Sequence, residues 1–348
     1  MPSRRTVLRT GALGIAALAG CTALDDGPPR HARWHHDASA VFGTDHYAYG
    51  SLDVPTLRAN SDRLPTELQS GLDRAREFSE AIALDEVNHL LATGYGQPQR
   101  GRAGLTLVAT GNFDTDAIDA EIRDTFRPVE GGLVTPEGTY QGYRCYASAP
   151  ALGRNWAQFQ GPDQPEAPDF TFGIGYSPNA LVASVTLGIG LNAINGVFAA
   201  IDARFGNAPQ LTERAPVRHC LSVTDDHALV TGISEAGLAA LQREIAGDNG
   251  NALELAKGLV LSYRFDPDRL RVAFVFDPSD LLSRERLRSL LDDLFADNDR
   301  PDIEIETIGI ARDGRVIYAD IVAGPEAIQR LENGTATPTP QSSIDIWI

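Results

Sequence analysis

The sequence predicts an α+β fold: repeated β-hairpin-plus-helix (ββα) units forming mainly antiparallel sheets, with helices on one face, in two lobes. Three observations predict it. Short stretches of alternating apolar residues are joined by tight-turn sequences, amphipathic stretches with spacings of three and four follow those pairs, and the turn-rich Gly206–Pro216 divides the chain. Hairpins give antiparallel strands, and a helix folding back over its hairpin covers one sheet face.

Taken in order, "HYAYGSLDV" reads as a strand, and Thr56–Leu84 as helical with a break near Pro65. A loose unit follows, "NHLLATGYG" and "AGLTLVATGNFD" into "TDAIDAEIRDTF", where Ile118, Ile122 and Phe126 recur every four residues. Residues 129–169, rich in Gly, Pro and Gln, read as long loops or an edge hairpin around "GTYQGYRCYAS". The next unit, "DFTFGIGYSPNALVASVTL", turns at Ser177–Asn179 and leads into a helix with Leu191, Ile194, Phe198, Ile201 and Phe205 on one face. "RHCLSVTDDHALVTGI" reads as another hairpin, with Ser234 as N-cap of the helix after it. The third clear unit turns at Asp266–Asp268 and continues into a helix with Leu287, Leu290, Leu291 and Leu294 inward. The fourth alternates Ile303 and Ile305 with Glu304 and Glu306 and turns at Asp313–Gly314, a strong tight-turn signal. The predicted organisation is a signal segment over 1–20, a tether over 21–44, an N-terminal lobe over 45–207, a C-terminal lobe over 216–332, and a Thr/Pro linker with a terminal strand over 333–348.

Composition bounds the environment. Of the 348 residues 43% are apolar and 22% charged, which places the chain among globular proteins. Its net charge is −17, and Lys257 is the only lysine among its 30 basic residues. A surface of that sign repels phosphate backbones, so no nucleic-acid partner is expected.

At the N-terminus, Arg4, Arg5 and Arg9 precede an uncharged run from Gly11 to Gly20. That run is about half the ~20 residues a spanning helix needs, so it reads as an export signal and not as an anchor helix. The paired arginines before "TVL" resemble a twin-arginine export signal, and "LAGC" (Leu18–Cys21) resembles a lipobox whose Cys21 carries the lipid. Together with the acidic, lysine-poor composition, this segment resembles the twin-arginine lipoproteins of halophilic archaea. The resemblance implies lipidation at Cys21 and a place on the outer face of the cytoplasmic membrane. The remaining Cys145 and Cys220, both in stretches that read as strands, form either a disulfide or two buried free thiols. Asn333–Gly334–Thr335 is a glycosylation sequon.

The candidate chemistry is thin. Gly188-x-Gly190-x-x-Ala193 resembles a dinucleotide fingerprint, but its strand belongs to an antiparallel hairpin. Glu86-x-x-His89 has di-iron spacing without a second copy. His31, His35, His36 and Asp37 could cluster around a metal, yet they fall in the expected tether, where nothing would hold them. Asp297–Asp302 lacks the glycine and closing glutamate of a calcium loop, and Asp225–His227 reads as a hairpin tip. No cofactor, metal site or catalytic residue is therefore expected. The expected role is non-catalytic: interaction with another envelope protein, or envelope structure, on a membrane-held lipoprotein. A solute-binding lipoprotein serving a transporter is the alternative, and a surface hydrolase a third.

Overall fold

A computed structural model describes residues 29–64, 69–70, 82–97, 100–125, 134–148, 170–188, 190–224, 227–239, 255–265, 268–277, 304–311 and 315–322. The signal segment, Cys21, Asp225–Asp226, Asp297–Asp302, the helix expected after Phe276, the Asp313–Gly314 turn, Asn333 and the terminal segment lie outside the described residues.

The fold is α+β, built on a large antiparallel sheet. Its strands are β1 (Tyr47–Asp53), β2 (Val87–Gln97), β3 (Arg102–Gly111), β4 (Val134–Tyr140), β5 (Tyr143–Ser148), β6 (Phe170–Ser177), β7 (Ala180–Leu187), β8 (Leu229–Ser234), β9 (Ala256–Phe265), β10 (Asp268–Phe276), β11 (Glu304–Ala311) and β12 (Val316–Val322). They lie in the order 11-12-10-9-8-1-2-3-7-6-5-4, and every neighbouring pair is antiparallel. One sheet thus runs through residues on both sides of Gly206–Pro216. The join is β1, which pairs with β2 on one side and β8 on the other.

Helices pack on it, among them α1 (Ala38–Phe42), α2 (Val54–Ala59), α3 (Thr115–Thr125), α4 (Ala193–Phe205) and α5 (Ala215–Leu221). Against the expectation of helices on one face, they cover both. Val54, Leu57, Ile118 and Ile122 of α2 and α3 share a core with Val272, Phe274 and Ile317. Residues of α4 and α5 pack on the opposite face, where Val182, Val108, Val260 and Ala273 point. The reason is readable in β10. "VAFVF" has no polar residue at either parity, so both faces of that strand must be buried.

Several local expectations change. "RHCLS" is the helix α5 and not a strand, so only Leu229–Ser234 of that stretch enters the sheet. Pro216 in the first turn, with φ preset and no N–H to satisfy, favours that helical start. Glu86-x-x-His89 enters strand β2, so its two side chains do not share a helix face. The expected inward face of α4 shifts: Ile194, Val197, Ala200 and Ile201 are buried, while Phe205 is 52% exposed. Ser234 does cap the following helix, accepting from Gly237 N at 3.1 Å. The edge hairpin at "GTYQGYRCYAS" is present as β4–β5. Its two turn residues, Gln141 and Gly142, both have positive φ, as a tight hairpin turn matched to strand twist requires. Among the described residues no helix is long and apolar enough to cross a membrane.

Candidate functional site

The largest departure from expectation is the segment assigned to a tether. From Arg30 onward it is folded against the sheet. A 3-10 turn (Arg30–Trp34) places Ala32 and Trp34 in the core, His35 and His36 follow in extended backbone, and Asp37 caps α1 by accepting from Ser39 N at 2.9 Å. The Asp-x-Ser pattern that makes this cap was visible in sequence. We call Arg30–Phe42 the strap.

The floor beneath the strap is set by an arrangement that recurs three times. Tyr95 of β2 lies opposite Gly104 of β3, Tyr49 of β1 opposite Gly232 of β8, and Tyr318 of β12 opposite Gly309 of β11. A Cβ on any of these glycines would come within 2.2–2.3 Å of the tyrosine ring. The missing side chain lets each ring lie flat across its neighbouring strand. Two of these flattened rings carry the strap. His35 meets Tyr49 edge-on at 5.9 Å, His36 meets Tyr95 edge-on at 6.4 Å, and Phe42 stacks on Tyr95 at 4.0 Å.

Polar contacts fix the register. His35 Nδ1 and Thr93 Oγ1 are 2.9 Å apart. Leu211 N donates to His35 O at 2.8 Å and Asp37 N to Pro209 O at 3.0 Å, around an isolated bridge between His36 and Gln210. Arg214 Nε donates to Asp37 Oδ2 at 2.8 Å, its terminal nitrogen bonds Ser39, and its guanidinium lies over Tyr47 at 5.2 Å. Arg204 sits over Trp34 at 5.8 Å, and His31 stacks on His89 at 4.5 Å.

These histidines are held neutral. Burial lowers the pKa of His36 to about 4, with Asp37 opposing, and that of His35 to about 3, with His31 and His36 adding to the effect. Burial, then His89, takes His31 to about 4 against the pull of Asp53. For Asp37 burial acts upward, but the bonds from Arg214 and Ser39 outweigh it and hold the carboxyl below its ordinary value. Among the described residues no group of three or more His, Cys, Asp or Glu side chains is arranged to hold a metal ion.

Cys145 and Cys220 are free thiols, buried in separate clusters. Cys220 sits on α5, not on a strand, and burial pushes the thiols up to about 11 and about 12 respectively. Gly188, Gly190 and Ala193 connect β7 to α4 after an antiparallel pair. A second polar cluster lies on the other sheet face, where Asp119 accepts from Tyr146 at 2.7 Å and Tyr176 at 2.5 Å and pairs with Arg123 at 2.7 Å. It ties α3 to β5 and β6. Sequence reading missed Thr93, Arg214 and the tyrosine–glycine pairs, because each depends on strand register or on contacts 58 or more residues apart.

No family model matches the chain, and no curated protein matches it. Solved structures of TP0453 resemble it. Crystal form I aligns over 89% of this chain and 99% of that chain at 12% identity, with a TM-score of 0.42. Crystal form III aligns over 87% and 97% at 11% identity, with a TM-score of 0.43.

Proposed function

We propose that this is a lipid-anchored cell-surface protein with a non-catalytic role, in interaction with another envelope protein or in envelope structure. In this reading the twin-arginine signal exports it and Cys21 carries the lipid that holds it at the outer face of the membrane. The observation that carries the reading is the spacing between lipobox and body. Only residues 22–29 separate Cys21 from the folded strap, a reach of at most about 30 Å, so the broad sheet would be held close to the membrane. Support for an interaction role comes from β3 and β7. Leu107, Val185 and Leu187 share one sheet face and are 46%, 38% and 38% exposed. Adjacent exposed side chains of this size are a common mark of protein contact. The β2–β3–α3 and β6–β7–α4 runs support a chain assembled from repeated ββα units, and Asn333 would be a glycosylation acceptor.

Cell fractionation in high salt tests the proposal. Wild-type protein is expected in the membrane pellet, and the Cys21→Ala variant in the medium. A Cys21→Ala protein that stays with the membrane, or wild-type protein retained in the cytoplasm, would overturn it.

A further inference from the structure

We propose that Arg30–Phe42 is a detachable strap whose seat on the sheet is controlled by protonation of His35 and His36, so that acidification releases it and leaves the sheet intact. Four observations lead there.

First, His36 is 0% exposed, and neither of its ring nitrogens has a hydrogen-bond partner among the described residues. A neutral imidazole there already buries one orphan N–H, and a protonated one would bury two together with a charge. Second, His35 is also buried and bonds Thr93 through one nitrogen, so protonation adds a charge and an N–H in the same dry layer. Third, the surrounding charges do not welcome a cation. His36 faces Asp37, but that carboxylate is already occupied by Arg214 and Ser39, and Arg214 has a further contact to Asp45 at 3.7 Å. His35 faces His31, His36, Tyr49 and Thr93. His31 faces His89 and Asp53, whose carboxylate caps α2 through Thr56 N. Arg204 over Trp34, and Arg102 beside Phe42 and Tyr95, add positive charge. Fourth, no strap residue belongs to a strand of the sheet. Its backbone bonds outside itself run to Pro209 and Leu211, so it can leave without breaking a single sheet ladder.

The pKa values of both rings, lowered by burial to about 4 for His36 and about 3 for His35, place the change below their ordinary value of 6.5. If Cys21 is the anchor, and in that respect the inference rests on the reading above, release extends the link from residues 22–29 to residues 22–42, because Gly43, Thr44 and His46 stay bonded to β2. The maximum reach then grows from about 30 to about 75 Å. The body would move from the membrane surface toward the outer envelope.

The test uses the full chain in constant high salt, with Trp156→Phe and Trp347→Phe so that Trp34 is the sole tryptophan. Between pH 7.5 and 4.5, Trp34 emission is expected to shift to the red while far-UV circular dichroism keeps its strand signal. His36→Phe should move the midpoint down by at least half a pH unit, and His46→Gln should not move it. A second readout needs no variant. Cys220 shares its cluster with Ala32 and Ala38 of the strap, so its reaction with an acid-tolerant disulfide reagent should accelerate at least tenfold at pH 5. Trp34 emission that changes only when the strand signal is lost would overturn the proposal, as would Cys220 reactivity that stays flat. Neither readout depends on lipidation, so failure here and failure of the Cys21→Ala fractionation are separable.

Discussion

Replacing His36 by phenylalanine isolates the cost of its buried ring, because the two pH regimes separate two effects. At pH 7.5 the histidine is neutral, and one orphan N–H costs about 1–3 kcal/mol. Phenylalanine removes that cost but is larger, and overpacking costs a similar about 1–3 kcal/mol. The net change near neutrality should therefore be small. Acid changes the balance. The folded pKa of His36 is lowered, so between its ordinary 6.5 and about 4 the unfolded chain binds more protons than the folded one. Stability from this site is full above 6.5 and is lost as pH falls toward 4. At pH 4.5 the loss spans two pH units, about 3 kcal/mol at 1.36 kcal/mol per unit. His36→Phe abolishes that loss. Urea denaturation at pH 7.5 and 4.5 in the same salt should show the variant within about 1 kcal/mol of wild type at the higher pH. At the lower pH it should be more stable by an additional amount of up to about 3 kcal/mol, the full value applying only while the strap stays docked. An equal difference at both values would show that His36 is not a buried neutral ring, and the electrostatic reasoning about the strap would fall with it.

Two further outcomes follow from the geometry. Gly232→Ala puts a methyl 2.3 Å from the Tyr49 ring, and should lower stability by more than about 2 kcal/mol in thermal melts. Adding Tyr49→Leu, which clears the space, should recover part of that loss. Because Cys145 and Cys220 are free, a reducing agent should leave the thermal midpoint of the chain unchanged, and a drop of several degrees would reveal a disulfide after all.

The sequence carried the sheet better than it carried the site. Local signals worked wherever the deciding physics was local. The alternation in "FTFGIGYS" and "ALVASVTL" marks a hairpin turning at Ser177–Asn179, and β6 and β7 pair with Ser177 opposite Ala180. Ile118 and Ile122 at four-residue spacing mark α3, and both are buried. Two further local signals bear on the observed structure. Consecutive apolar residues in β10 called for cover on both faces, and Pro216 marked a helix start where a strand was expected. The strap is a different case. Its histidines, Pro29 and charged flanks look like solvated chain, because much of the apolar surface that buries them comes from Tyr95 and Val217, far along the sequence. His35 takes its side-chain hydrogen bond from Thr93, 58 residues away, and no short window of the sequence contains that partner.

The glycines opposite the tyrosines explain how one sheet face accommodates both helices and an irregular segment. An ordinary side chain at Gly104 or Gly232 would displace the Tyr95 or Tyr49 ring, on which His36 and His35 pack. With the rings flat, the strap approaches closely enough for His35 to reach Thr93 at 2.9 Å and for Phe42 to stack on Tyr95 at 4.0 Å. That closeness is also what excludes solvent from the histidines and keeps them neutral. The same glycines that let the strap dock therefore set how strongly acid opposes its docking. A looser floor would admit water, let the imidazoles protonate near their ordinary pKa, and remove the coupling between pH and the position of the segment that follows Cys21.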